Sequence, residues 1–372
     1  MMSNLISSID IKSFRGINSF RLENLSQINI LTGDNNCGKT SILEILESFG
    51  QPDDFRMWSS LIRKDFRESS LRGLTYYEGI YDLFDINSEK KRLEYTIVMD
   101  GISTNVALLA KEIEEEITEK EFYDLQGIYF PQENKDEGLL DNTQLVSKLE
   151  IEIKINGQTV SREKIYEGQR RLGLRSRSGK EKYNKNIIYI SPIRHAEGNV
   201  FLSQILNYPE LYEEMLTVLK EYDENIISIN YDNEDNRISG KGIYKILSKS
   251  HQKALPLNVY GDGMKKAILL MSAVIKAKNG VLLLDEFETA IHTSAMNKTF
   301  KWILETCKKL NVQVFMTSHS KEAIDKVLKC TPEIIDDIAV YTMYKENGET
   351  TVRRLSARKA IEVQDEMGLE LR

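Results

Sequence analysis

Uninterrupted apolar runs at Gly280–Leu284 and Gln313–Thr317 read as strands buried on both faces, since no polar residue alternates with the apolar ones. Ser8–Phe14 and Gln27–Leu31 read as shorter strands, the second running into a glycine turn. Leu93–Met99 is a further strand, and Leu149–Ile155 alternates Ile151, Ile153 and Ile155 against charged neighbours, the pattern of a half-buried strand. Helical spacing at Ile42, Leu43, Ile45 and Leu46 predicts a helix over Thr40–Phe49, and Met264–Lys276 predicts a long apolar one. Ser203–Tyr222 predicts an amphipathic helix opening near Asn207-Tyr208-Pro209, with a small mixed insertion at Ile226–Tyr231 and Gly240–Leu247. Beyond Pro332, strands flank the turn Glu346-Asn347-Gly348 and a helix closes the chain. No heptad run or internal repeat is present.

Two charged segments stand out. Lys111–Phe122 carries Glu at 112, 114, 115, 116, 119 and 121, and predicts the solvated face of a helix. Arg170–Lys185 holds seven basic residues and one acid among glycines and serines. It reads either as a flexible surface loop before the strand Ile187–Ile190 or as a contact to a phosphate backbone or a partner.

Composition narrows the class. The 372 residues are 41% hydrophobic and 29% charged with 6 Pro, which excludes disorder, collagen and a disulfide-stapled scaffold. A net charge of -7 argues against a basic coat for duplex DNA over the whole protein, leaving a local patch open. Cys37, Cys307 and Cys330 are widely spaced, which fits a reduced setting. Met1–Lys12 lacks a basic segment followed by an apolar one, and the longest apolar stretches fall short of a membrane span, so a cytoplasmic protein with no membrane partner is expected.

The chemistry begins at Gly33-Asp34-Asn35-Asn36-Cys37-Gly38-Lys39-Thr40, which fits the P-loop pattern G-x-x-x-x-G-K-[ST] and is followed by Ser41. An apolar strand enters the loop and a helix leaves it, so backbone N–H groups and the helix's positive end converge on a phosphate. Lys39 would reach the β- and γ-phosphates, and Thr40 would hold Mg²⁺. Val281–Leu284 ends in Asp285 and Glu286, at the carboxyl end of a buried strand where acids emerge into a crevice. Asp285 is expected to bind Mg²⁺ and Glu286 to polarise the attacking water as general base. Val314–Thr317 ends similarly in Ser318 and His319, whose imidazole can reach a γ-phosphate or that water. His195 and His251 lack such a setting and read as surface residues. Gly261-Asp262-Gly263 opens the helix Met264–Lys276 and presents a second glycine-rich helix start, explained either by a phosphate contact or by a helix cap. One phosphate does not need two such starts from one chain, which points to a nucleotide held between two subunits.

The order P-loop, Gly-Asp-Gly helix, Leu-Leu-Leu-Asp-Glu and Thr-Ser-His resembles the ABC-type ATPase heads of the SMC, RecF and OLD (overcoming lysogenization defect) group. The likeness to OLD-type ATPases rests on Leu255-Pro256-Leu257 followed by Tyr260–Gly263, on Asp285–His292, on Gly368–Arg372, and on the opening Ile11–Gly16. The resemblance implies an α/β fold: an ABC-type P-loop NTPase head, a mixed sheet with a parallel core plus an antiparallel β lobe, and a partly helical insertion. The expected divisions are an N-terminal lobe over 1–190 with variable insertions at 105–150 and 165–186, a mostly helical insertion over 191–256, and a C-terminal lobe over 257–372. It also implies a head-to-head dimer, or a higher homo-oligomer, closing on ATP and Mg²⁺. Gly261, Asp262 and Gly263 would then act in trans, Glu288–His292 would form the D-loop, His319 would be the switch histidine, and Arg15 would lie near the nucleotide. Cys37 replaces a usual Ser, Ala or Gly, and Ala290 replaces a common D-loop glycine. The Q-loop glutamine is not placed.

OLD nucleases also carry a Toprim domain with an Asp-x-Asp pair, and no Asp-x-Asp occurs in this chain. The expected function is therefore an ATPase whose nucleotide state is read by a separate effector, a nuclease or toxin, in bacterial anti-phage defence similar to PARIS and Septu modules. The alternatives are a RecF-like clamp on DNA using Arg170–Lys185, and an ATP-stabilised scaffold with little turnover.

Overall fold

The computed structural model describes residues 6–62, 75–126, 143–169, 183–192, 201–232, 243–289, 291–346 and 348–367. A hairpin of β1 (Ile6–Phe14) and β2 (Ile17–Glu23) comes first, and β3 (Ile28–Gly33) then enters the loop that starts α1 (Lys39–Ser48). Short helices α2 (Phe55–Ser60) and α3 (Tyr76–Ile80) lead into β4 (Arg92–Met99), β5 (Ile102–Thr118), α4 (Glu119–Gln126), β6 (Thr143–Ile155) and β7 (Gln158–Tyr166). Next come β8 (Ile187–Ile190), α5 (Leu202–Ile205), α6 (Pro209–Leu219), β9 (Ile226–Asp232), β10 (Ile243–Ser248) and β11 (Leu255–Pro256). The rest of the chain is α7 (Asp262–Lys276), β12 (Val281–Leu284), α8 (Thr293–Lys309), β13 (Gln313–Thr317), α9 (Lys321–Lys329), β14 (Ile338–Glu346), β15 (Glu349–Ser356) and α10 (Ala357–Met367).

A mixed sheet in the order β15-β14-β3-β13-β12-β8 is parallel throughout except for β15, which pairs antiparallel with β14. A second sheet, β2-β1-β4-β5-β6-β7, is wholly antiparallel, and β11-β10-β9 form a small third one. The mixed sheet is a wall between two cores, because successive side chains of a strand point to opposite faces. Leu282, Leu284, Val314 and Met316 face the core built with α7, α8 and α9. Val281, Leu283 and Phe315 face the core that holds α1 and the antiparallel sheet. This is the parallel core plus antiparallel β lobe that the sequence predicts.

Two expectations are corrected. Residues 111–118 are strand, not helix: β5 runs for 17 residues, and helix α4 starts only at Glu119. The isoleucines at 113 and 117 have helical spacing, but pairing along β6 gives the glutamates partners that a helix would not. Glu112 accepts from the Tyr77 hydroxyl, and Glu115 accepts from Lys148 at 2.9 Å and from the Tyr166 hydroxyl at 2.7 Å. The described residues of 105–150 belong to β5, α4 and β6, and the two strands pair side by side inside the antiparallel sheet. Over its described residues, the stretch 191–256 is not mostly helical either, since β9, β10 and β11 pair into a sheet beside α5 and α6. The expected N- and C-terminal lobes interleave, with β3 lying between β13 and β14. The segment 170–182 lies outside the described residues.

Leu283 is wholly buried in the strand that carries Asp285. Leu283→Ala should lower stability by about 2–5 kcal/mol through lost transfer energy and a residual cavity, read as a fall in the urea midpoint.

Candidate functional site

The P-loop backbone is shaped by two glycines that no other residue could replace. Gly33 has φ 135°, and a Cβ there would lie 1.9 Å from the Met343 carbonyl oxygen of β14. Gly38 has φ 100°, and its Cβ would meet the Ile17 side chain at 2.7 Å. Asn36, at φ 62°, uses the left-handed region that Asn tolerates. The chain so turned brings Lys39 back over its own loop. The lysine ammonium donates to the carbonyls of Gly33 at 2.8 Å and Asp34 at 2.7 Å, and lies 3.6 Å from the Cys37 sulfur.

Across from the loop, Asp285 emerges from β12 almost fully buried. In the parallel register Leu284 is level with Met316, so Asp285 stands beside Thr317. Its Oδ1 accepts from the Thr317 hydroxyl at 2.6 Å and from the Thr40 hydroxyl of α1 at 3.3 Å. Its Oδ2 accepts from the Tyr189 hydroxyl of β8 at 3.1 Å. Burial, and then the charge of Asp285, push the Tyr189 phenol well above its ordinary range, so it remains a neutral donor. Thr40 and Asp285 thus bring two hard oxygen donors to one spot, a set suited to Mg²⁺.

Glu286 follows with φ 44°, a strained backbone for a residue with a Cβ, and its N–H is held at 2.8 Å by the Thr317 hydroxyl. Its carboxylate makes no hydrogen bond or ion pair with the described residues, in contrast to both acids near it. Glu288 Oε1 accepts from the Ser318 hydroxyl at 2.8 Å and from the His319 backbone N–H at 3.1 Å. The half-buried His319 imidazole makes no hydrogen bond among the described residues.

The remaining expected residues divide. Gly261 caps α7 from an exposed position, and a Cβ added there would meet nothing within 4 Å. Neither its φ of -62° nor packing within the chain explains the glycine. Asp262 is exposed and pairs with Lys265 at 2.6 Å, and Gly263 is half-buried. Arg15 is already engaged within the chain: its guanidinium pairs with Glu44 at 2.7 Å and donates to the Leu61 carbonyl at 2.8 Å. His292 caps α8, with Nδ1 accepting from the Ser294 N–H at 3.3 Å. Ala290, His195 and Gly368–Arg372 lie outside the described residues, and His251 is exposed. Sequence reasoning gave no role to Tyr189 or Thr317. The signal for Thr317 was its place at the end of a buried strand like that of Asp285, and Tyr189 carried none.

Residues 28–325 match the family described as "AAA domain, putative AbiEii toxin, Type IV TA system". The chain belongs to this family of P-loop ATPases. An ATP/GTP phosphatase of Helicobacter pylori is 26% identical over 357 residues, covering 86% of this chain and 87% of that protein. An uncharacterized protein of Methanocaldococcus jannaschii is 32% identical over 114 residues, which is 30% of this chain and 98% of that protein. Among solved structures, an SMC head bound to the C-terminal winged-helix domain of ScpA is similar at TM-score 0.50 and 12% identity, covering 96% of this chain and all of that one. The fold is therefore the α/β P-loop ATPase head of the SMC type. Among the described residues, no helix is long and apolar enough to cross a membrane.

Gly33→Ala should destabilise the ATPase by about 1–3 kcal/mol from backbone strain alone, with the fixed Met343 carbonyl adding to it. Thermal unfolding would register this as a lowered midpoint, and a wild-type midpoint would contradict the geometry described.

Proposed function

We propose that this ATPase hydrolyses ATP with Mg²⁺ between two copies of the chain, in the cytoplasm, and that a separate effector reads the nucleotide state. The observation that carries the reading is Asp285, whose buried carboxylate ties Thr40 of the P-loop helix to Thr317 while Glu286 beside it stays unengaged. In this reading the loop Gly33–Ser41 wraps the phosphates, Lys39 exchanges its carbonyl partners for phosphate oxygens, and α1 directs its positive end at them. Thr40 and Asp285 would hold Mg²⁺, which when bound supplies positive charge against the phosphates. Glu286 takes a proton from the attacking water onto its carboxylate, and His319 faces the γ-phosphate side of the same site. Arg15, paired with Glu44, is left out of the set.

The dimer is supported by Gly261. An exposed glycine with open space where a Cβ would go suits the close approach of another chain's phosphate, and the positive end of α7 lies behind it. Gly261, Asp262 and Gly263 therefore serve the partner's nucleotide. Closure on ATP and opening after hydrolysis give two states that an effector can distinguish. Anti-phage defence, with a nuclease or toxin as effector, is the setting that the resemblance to OLD-type heads favours, and the family's description as an AbiEii-type toxin–antitoxin domain is compatible with it.

Glu286→Gln keeps the shape of the base and removes its function. It should lower ATP turnover by about 100- to 10,000-fold and hold a dimer in ATP and Mg²⁺ that light scattering detects as doubled mass. Turnover at the wild-type rate, with no nucleotide-dependent change of mass in either protein, would overturn both the catalytic assignment and the shared site.

A further inference from the structure

A carboxylate offers about four acceptor positions, two on each oxygen. On Asp285 the described residues fill two on Oδ1, with the Thr317 hydroxyl at 2.6 Å and the Thr40 hydroxyl at 3.3 Å. They fill one on Oδ2, with the Tyr189 hydroxyl at 3.1 Å. Among the described residues, the open position of this almost fully buried acid therefore lies on the oxygen that Tyr189 holds.

Strand register delivers the hydroxyl. In the parallel pairing of β8 with β12, Tyr189 is level with Leu283. The Asp285 N–H donates to the Ile190 carbonyl at 3.0 Å, so the two strands stay together up to the acid. The Tyr189 ring packs against the core that holds α1. Packing accounts for the ring, which phenylalanine would supply equally well, and not for the hydroxyl. What the hydroxyl adds is its bond to Oδ2. The last torsion of an aspartate is broad, so one well-held oxygen does not by itself fix the plane of the carboxylate. Thr317 cannot do so, since its hydroxyl is on Oδ1 and also accepts the Glu286 N–H at 2.8 Å. Tyr189 is the donor that holds the second oxygen.

We infer that Tyr189 is a positioning residue for the divalent cation: by holding Oδ2 from β8 it sets the plane of the Asp285 carboxylate and decides which acceptor position is left for Mg²⁺ or for a water that Mg²⁺ carries. A group that orients a ligand without touching the metal sets metal affinity, typically by about 10- to 100-fold. Tyr189 takes this part from a strand that carries none of the motif residues, and it does so without meeting the nucleotide. The role rests on the reading of Thr40 and Asp285 as the Mg²⁺ site given above.

The test is calorimetric titration of ADP into the full chain, in EDTA and over a series of Mg²⁺ concentrations, for the wild type, Tyr189→Phe and Asp285→Asn. Tyr189→Phe removes the hydroxyl and keeps the ring. The Mg²⁺ concentration that gives half of the metal-dependent gain in ADP affinity should rise by about 10- to 100-fold in this variant. ADP affinity in EDTA should stay at the wild-type value, and high Mg²⁺ should restore the rest, which a merely structural defect would not allow. A Mg²⁺ midpoint equal to that of the wild type, or a loss of ADP affinity just as large in EDTA, overturns the role of Tyr189. Asp285→Asn separates this role from the reading beneath it. If Asp285→Asn loses the metal dependence while Tyr189→Phe keeps the wild-type midpoint, the Mg²⁺ site stands and Tyr189 falls. If Asp285→Asn keeps the wild-type metal dependence, both fall. Should Tyr189→Phe not fold, 3-fluorotyrosine incorporated in place of Tyr189 decides by fluorine NMR. Its signal should move when Mg²⁺ joins the ADP complex, and a signal that stays put sinks the inference.

Discussion

A carboxylate taken out of water must be met by hydrogen-bond donors or become costly, and Asp285 is almost fully buried. Its donors are the hydroxyls of Thr40, Tyr189 and Thr317, which come from α1, β8 and β13. These residues lie far apart in sequence. Only the strand order β3-β13-β12-β8, with all four strands parallel, sets their carboxyl ends side by side. The buried acid and the parallel sheet therefore depend on each other: the sheet assembles the donors, and the acid makes the strand order consequential. Thr317 carries the constraint further. Its hydroxyl donates to Asp285 and accepts the N–H of Glu286, which secures the left-handed turn that sets the free carboxylate. A turn of that kind costs about 1–3 kcal/mol, and such cost persists where surrounding bonds over-determine the backbone.

The two cores divide the labour around this point. α1 packs on the face shared with the antiparallel sheet, and α7 packs on the opposite face with α8 and α9. Each helix starts in glycines, yet the two starts are built differently. Gly33 and Gly38 are demanded by Met343 and Ile17 of the same chain, so the P-loop is complete within one molecule. A Cβ added at Gly261 would meet nothing within 4 Å among the described residues. One glycine-rich helix start is thus shaped by packing within the chain, and the other is not.

How much of this was legible follows from which interactions are local. β12 and β13 were readable because burial on both faces removes polar residues from the strand itself, and the P-loop because its glycines answer to backbone geometry. Asp285 and Glu286 followed from the end of an apolar run. The segment 111–118 was misread because its run of glutamates reads as a solvated helix face, while the groups that partner them in the sheet, such as Tyr77 and Tyr166, lie 35 and 51 residues away. Arg15 entered through the resemblance alone, and nothing near it in sequence shows that Glu44 and Leu61 hold its guanidinium.

The bonds that Lys39 makes bear on how such a head can switch. Its ammonium is held by two neutral carbonyls, of Gly33 and Asp34, inside a loop whose turns are set by sterics rather than by the lysine. Exchanging neutral acceptors for phosphate oxygens would replace bonds charged only at the donor with bonds between opposite charges. The exchange asks for a rotation of one side chain and no refolding of the loop. In the proposed reading the rearrangement on this side is therefore local, confined to one side chain within a loop whose turns stay as they are.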